Sequence, residues 1–375
     1  MAPVYLIAHS IASPLGLGTA LHWEKMAQGL SGISLISKQE ITLKNFYGAS
    51  IPEHLWEEWR AMLPTPSAFS RLETLMLVTL KNVANDCPLP FSSPKTLFIF
   101  STTKGNIDSL PSTHSGMQTL PSLARKVAGV FQNPSSPIVI SNACISGLSA
   151  ILMAKSLLQS GRYEQVVVCG ADILSEFTVS GFQCLHAISP IPCKPFDRDR
   201  MGLSPGEACG VVVLSNKSNS SSIQIRGGAS SNDANHISGP SRTGDGLALA
   251  ISKALKTADV SAKDIDYVCT HGTATLYNDE SESKALALTN LNLVPANSLK
   301  GYFGHTFGAA GVIETILTAH SMKNSHILAS LGYSSLGVST EMNIIPALTS
   351  IPITHSLKTA SGFGSCNAAL VLSAA

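Results

Sequence analysis

Short, unbroken apolar runs recur along this chain, and they constrain its fold more than any other feature. Val4–Ala8, Leu97–Phe100, Pro137–Ile140, Gln165–Gly170 and Gly210–Leu214 fall in the first part. Ile223–Arg226, Asp266–Cys269 and Ala368–Leu372 fall in the second. Between them lie stretches with helical periodicity: residues 70–85, 118–131, 145–160, 244–258, 280–289 and 309–323. A strand that is apolar on both faces must be covered on both, and helices alternating with such strands supply the cover. The pattern predicts an α/β protein.

The polar run Ser215–Ser222 is the one clear break in composition. It predicts two units, residues 1–215 and residues 222–375, each beginning and ending with a strand. No direct sequence repeat is visible, but tandem halves of one topology fit this layout. Of the 375 residues, 44% are hydrophobic and only 13% charged, so much surface is expected to be buried, an oligomer interface included. The formal net charge of +1 gives no electrostatic case for nucleic acid or a membrane surface. No apolar run approaches the roughly 18 residues of a membrane span, and the N-terminus looks like a first strand rather than a leader. The eight cysteines are scattered without a CxxC pair, which predicts reduced, cytoplasmic thiols and neither a disulfide framework nor a metal site.

Cys144 carries the first chemical signal. The run Ser135–Ala143 reads as a short strand entering a tight turn, and a helix with small residues in its first turns follows. A thiol at such a junction lies near unpaired N–H groups and the positive end of a helix dipole, both of which favour thiolate. A lone cysteine is nonetheless ordinarily a packed core thiol. Two histidine motifs change that reading: Tyr267–Thr275, with His271 in a loop of glycine and hydroxyl residues, and Lys300–Glu314, with His305 between glycines. A glycine-punctuated turn, Ser361–Asn367, precedes the last strand and could offer a backbone N–H to an oxyanion. The charged loop Lys194–Glu207 reads alone as a solvated or ion-paired turn.

In this order, Cys in a small-residue turn, then HGT, then KxxxGHxxGAAG, then GFG, the chain resembles the β-ketoacyl-acyl-carrier-protein synthases of the thiolase superfamily, of the Cys-His-His type. Ser13–Gly16, the Asp/Arg loop ending at Gly206–Glu207, Ser231–Ala234, Asp279 and Glu282 extend the resemblance over nearly the whole chain. It implies a five-layer αβαβα thiolase-like fold, with the N-terminal half carrying the nucleophile and the C-terminal half both histidines. It implies Cys144 as acyl-accepting nucleophile, His271 and His305 as catalytic histidines, and Lys300 as support for the second of them. Phe363 would be an aromatic gate whose N–H completes an oxyanion hole with that of Cys144, and Thr273 and Thr275 would contact a phosphopantetheine arm. The implied reaction is acyl transfer followed by decarboxylative Claisen condensation, in fatty acid, polyketide or aryl-polyene synthesis. No cofactor is implied beyond the phosphopantetheine of an acyl carrier protein, and the implied partners are that carrier and a second synthase subunit, in a homodimer or heterodimer.

Two other readings stand beside it: a noncatalytic chain-length-type subunit, and a thiolase acting on coenzyme A esters with Cys366 as its second thiol. The segment Ser101–Asn106 is similar to synthases of aryl-polyene or flexirubin-type pathways. The chain departs from longer relatives around residues 33–70 and 189–193, which look trimmed, and Ile145 occupies a position where a bulky neighbour would narrow the pocket. Arg125, Lys126, Lys194, Arg198 and Arg200 are candidates to meet an acidic carrier, with ordinary surface charge as the alternative.

Overall fold

A computed structural model describes residues 2–37, 45–87, 89–108, 119–219 and 222–374. The predicted elements lie close to their expected places. The N-terminal half contains strands β1 (Tyr5–Ser13), β2 (Thr96–Ser101), β3 (Ile138–Ile140), β4 (Gln165–Asp172) and β5 (Ala208–Ser215). Its helices include α1 (Arg71–Asp86), α2 (Leu120–Val130), α3 (Ser146–Gln159) and α4 (Glu176–Cys184). The C-terminal half contains β6 (Ile223–Asn232), β7 (Tyr267–Cys269), β8 (Ala296–Asn297), β9 (His355–Gly362) and β10 (Cys366–Ala374). Helices α5 (Asp245–Ala258), α6 (Leu276–Leu288) and α7 (Ala310–Asn324) accompany them. Part of the polar run (Ser220, Ser221) and residues 38–44 of the shortened segment lie outside the described residues.

The halves repeat one topology. In space the first runs β1-β5-β4-β2-β3 and the second β6-β10-β9-β7-β8. In each, the last strand in sequence lies antiparallel to both of its neighbours, while the remaining four strands all run in one direction. A short antiparallel contact, Tyr5 with Gln224 and Leu6 with Ile223, joins the two ladders into one continuous sheet.

The period-2 alternation of the strands sorts their side chains into layers. Leu97, Ile99, Val166, Val168, Val212 and Leu214 point into a central core with α3 and α7, while Phe98, Phe100, Val167, Cys169, Val211 and Val213 face α1 and α2. In the second half Ala368, Leu370 and Leu372 share the central core, and Ala369 and Val371 face α5 and α6. The result is five layers, helix–sheet–helix–sheet–helix. Each buried branched side chain contributes about 1.5–3 kcal/mol.

The central helices touch backbone to backbone. A Cβ on Gly147 would sit 2.8 Å from Val312 N, and one on Gly311 2.6 Å from Leu148 N. Being enclosed all round, α7 keeps even Glu314, Thr315 and Thr318 fully buried. Strand β9 was not foreseen, because His-Ser-Leu-Lys-Thr-Ala-Ser-Gly reads as a polar surface segment. Its Lys358 is wholly buried instead.

Candidate active site

The functional groups gather where parallel strands end and helices begin, the place where an α/β sheet leaves a crevice. Cys144 follows β3 and precedes α3. Ala143, just before it, takes a left-handed φ of 44°, costly for a residue with a Cβ, and this bend presents the thiol. Ser146 secures the turn: its hydroxyl donates to Ala143 O (2.6 Å) and accepts from Asn142 N–H (2.8 Å). The β9–β10 hairpin lies against this elbow. A Cβ on Gly362 would lie 3.0 Å from Cys144 N, so glycine is what lets the Phe363 N–H reach the sulfur.

The helix end does not make this thiol acidic at rest. Burial pushes it up to about 11, with Asp172 adding to the rise; Lys104, Lys300 and the Phe363 N–H pull the other way. The expected thiolate is thus outweighed by desolvation of a nearly enclosed sulfur.

His271 follows β7 in a loop whose main-chain N–H groups are held chiefly by two carboxylates. Its own N–H donates to Glu282 Oε1 (2.8 Å) and Gly272 N–H to Glu282 Oε2 (2.8 Å). Thr273 and Ala274 N–H donate to Asp279 Oδ1 at 2.9 and 3.2 Å, and Phe196 N–H donates to Asp279 Oδ2 at 2.8 Å. Asp279 is pushed up to about 6 by burial, against the pull of the Phe196 N–H.

Behind the ring, Lys300 Nζ donates to His271 Nδ1 (3.3 Å), to His271 O, and to Glu314 Oε1 (2.7 Å). Lys358 Nζ faces the other Glu314 oxygen at 2.7 Å and donates to Thr270 O. Burial alone would lower Lys358, but Cys269 and Glu314 outweigh it and hold the ammonium above its ordinary value. Lys300 therefore serves His271, not His305 as expected. The reason is spatial: Lys300 starts a short helix that turns its side chain under the first histidine.

An ammonium has no lone pair, so His271 Nδ1 is the acceptor and Nε2 carries the proton. His305 reaches the same state by another route, since Phe307 N–H donates to its Nδ1 (3.3 Å). Burial, then Lys300, holds both rings well below the usual imidazole range, and they stay neutral. Their centroids lie 5.2 Å apart at 82°.

Cys144, His271, His305, Thr273, Thr275 and Phe363 line one cavity of about 390 Å³. Cys144 and Phe363 also border a second of about 260 Å³. Thr273 and Thr275 join their hydroxyls at 2.9 Å on the wall of the larger one. Phe363, 38% exposed, stacks on Phe182 with centroids 5.5 Å apart.

Other sequence-stated candidates fall elsewhere. Ile145 packs in the central core and lines neither cavity. Lys126 pairs with Glu73 at 2.6 Å. Arg200 is buried, donating to Asp197 O (3.0 Å) and Gly337 O (2.5 Å), so it is not free for a carrier, whereas Lys126 stays exposed. Cys366 receives a contact from Asn232 Nδ2 and is not among the side chains lining the two cavities.

Sequence reasoning missed Asp172, Glu314 and Lys358. Asp172 accepts from Thr102 Oγ1 (2.8 Å), Thr103 Oγ1 (2.8 Å) and Gly308 N–H (2.7 Å), tying the loop after β2 to the His305 loop. An acidic residue ending an apolar run was its only signal. Among the described residues no helix is long and apolar enough to cross a membrane.

Comparison with known proteins identifies the family. Residues 108–220 match the family described as "Beta-ketoacyl synthase, N-terminal domain", and residues 223–334 its C-terminal domain. The chain is similar to 3-oxoacyl-[acyl-carrier-protein] synthase 2 of Staphylococcus aureus, at 25% identity over 96% of this chain and 98% of that one. Its fold is shared with a chain of the ketosynthase ApeO in complex with its chain length factor ApeC from Xenorhabdus doucetiae (TM-score 0.87, 24% identity, covering 100% and 98%). It is likewise shared with a chain of AntDE:AntF, a type II PKS acyl-carrier protein in complex with its ketosynthase bound to the hexaketide (TM-score 0.85, 21% identity, 100% of each chain). With two family domains matched in tandem across more than half its length, and the fold shared throughout, the chain belongs to the β-ketoacyl synthase family.

Proposed function

We propose that the chain condenses acyl groups carried as thioesters, with Cys144 as acyl acceptor and His271 and His305 as the groups that hold the enolate. One observation carries this reading: both imidazoles have Nδ1 occupied, so both have an Nε2–H to donate, and both line the cavity that holds Cys144.

In the first half-reaction Cys144 Sγ attacks the acyl carbonyl. The sulfur–carbon bond forms, the incoming thioester bond breaks, and the thiol proton leaves with the departing sulfur. Charge on the tetrahedral oxygen is met by the N–H groups of Cys144 and Phe363. In the second, a malonyl thioester loses CO2. The electron pair of the broken C–C bond becomes an enolate whose oxygen accepts from both Nε2–H groups. The enolate carbon attacks the acyl-Cys144 carbonyl, a new C–C bond forms, and the sulfur leaves as thiolate and takes a proton from solvent. Lys300 and Phe307 N–H act through the rings, keeping each a donor.

The reaction needs no resident metal or redox cofactor. The pantetheine arm would arrive on an acyl carrier protein, passing the Thr273 and Thr275 hydroxyls. A dimer with a like or related subunit is supported by β3, an edge strand with half-exposed Ile138, Val139 and Ile140. A cytoplasmic setting belongs to the same proposal.

The test is intact-mass measurement after incubation with acyl-carrier thioesters. A mass gain of one acyl group, lost in Cys144→Ala, is expected. No gain with the unaltered chain would overturn the reading and leave the noncatalytic subunit in its place.

A further inference from the structure

The smaller cavity has a composition that a simple hydrocarbon pocket would not. Four phenylalanines border it, Phe177, Phe182, Phe307 and Phe363, together with Cys144 and one cation, Lys104. The rings form one aromatic wall: Phe182 stacks on Phe363 at 22° and tilts over Phe307 at 35°.

Lys104 Nζ lies 4.7 Å from the centre of the Phe307 ring and donates to Thr103 Oγ1 at 2.6 Å. That hydroxyl passes its own hydrogen to Asp172 Oδ2 (2.8 Å), so it is locked as an acceptor for the ammonium. Among the described residues Lys104 forms no ion pair. Its charge is thus satisfied by a π face and a hydroxyl, with donor capacity left over.

A saturated chain lying along this wall displaces water from the ammonium and returns nothing, which is unfavourable. An acyl group with a conjugated or aromatic face replaces that water with a second cation–π contact and lies against the phenylalanine wall.

Resting on the proposed acyl transfer to Cys144, we propose that Lys104 is a specificity-determining residue that makes the smaller cavity favour flat, unsaturated acyl groups over saturated ones of equal length. The chamber reads the acyl group within a few bonds of the sulfur, because Lys104 and Cys144 border the same small space.

The experiment compares S-hexanoyl-pantetheine with S-2,4-hexadienoyl-pantetheine. Rates of Cys144 acylation are followed by intact mass in the unaltered chain and in Lys104→Met. Dividing the two rate ratios removes the intrinsic difference in thioester reactivity. The dienoyl-to-hexanoyl ratio is expected to fall about tenfold in the variant, with the hexanoyl rate maintained or raised.

An unchanged ratio overturns the inference while leaving acyl transfer intact, and so does equal slowing of both thioesters, which would make Lys104 an activator of the thiol. Loading by neither thioester in the unaltered chain overturns the underlying reading and this one together. Lys104→Gln, which keeps polarity and removes charge, gives the same comparison if the Met variant does not fold.

Discussion

In the N-terminal half the connection from β3 to α3 carries a thiol; in the C-terminal half the connection from β8 to α7 carries an imidazole. The two connections hold the same place in a repeated strand order, yet what stands behind them differs. The helix after the thiol buries Leu148, Ile151, Ala154 and Leu158. The helix after the imidazole buries Glu314, clamped between Lys300 and Lys358. The difference follows from what each group must do. A sulfur needs a bend that exposes it and main-chain N–H groups beside it. A neutral imidazole that must donate from Nε2 needs something to occupy Nδ1 at all times. For His305 the Phe307 N–H does this, and the Lys300 ammonium held by Glu314 does it for the neighbouring His271; neither donor accepts a proton.

The comparison breaks most visibly at Glu314. Glu314→Ala leaves two buried ammonium groups without their counter-ion, and a loss of about 3–5 kcal/mol is expected. Chemical denaturation measures it. A midpoint that does not move would mean the charged layer behind the second half is not structural at all.

Next come the rings. His271→Ala and His305→Ala each remove one donor to the developing enolate, costing about 2.7–4 kcal/mol, a hundred- to thousand-fold in condensation rate. Loading of Cys144 should fall far less, since its oxygen is met by main-chain N–H groups. Parallel assays of acyl mass gain and condensed product separate the steps. Equal loss of both would erase the division of labour between the halves.

Where the halves are alike, the effects should be alike. Gly147→Ala and Gly311→Ala each push a methyl into the facing helix backbone, and each should cost about 1–3 kcal/mol in denaturant unfolding. A large inequality would show that the interface is less symmetric than its strand order.

The smallest effect is the pH dependence of the thiol. A folded value near 11, above the ordinary 9.0, leaves little thiolate at pH 8, and that fraction grows about tenfold per pH unit until the value is approached. Alkylation of Cys144 by iodoacetamide should therefore keep accelerating past pH 9, read by mass against Cys144→Ala. A plateau at pH 7–8 would contradict a desolvated thiol.

Much of this architecture was legible in the residue order. Continuous apolar runs such as Gln165–Gly170 and Gly210–Leu214 are strands because only a doubly covered sheet accommodates them, and the helix starts fell within a few residues of their expected positions. The positions of Cys144, His271 and His305 were legible too, since each sits in a small-residue turn at the end of a strand. Strand β9 was not, because its buried lysine reads as a surface residue until Glu314, from a helix 44 residues earlier, is brought beside it.

The sequence by itself therefore determined the layered α/β class, which follows from local pattern, and singled out Cys144, His271 and His305 through the order of motifs that carries the family resemblance. The protonation state of the thiol, the tautomer of each imidazole and the partner of Lys300 were decided only by tertiary structure. Those properties depend on desolvation and on charges contributed by distant segments, and no local pattern encodes the distance between them.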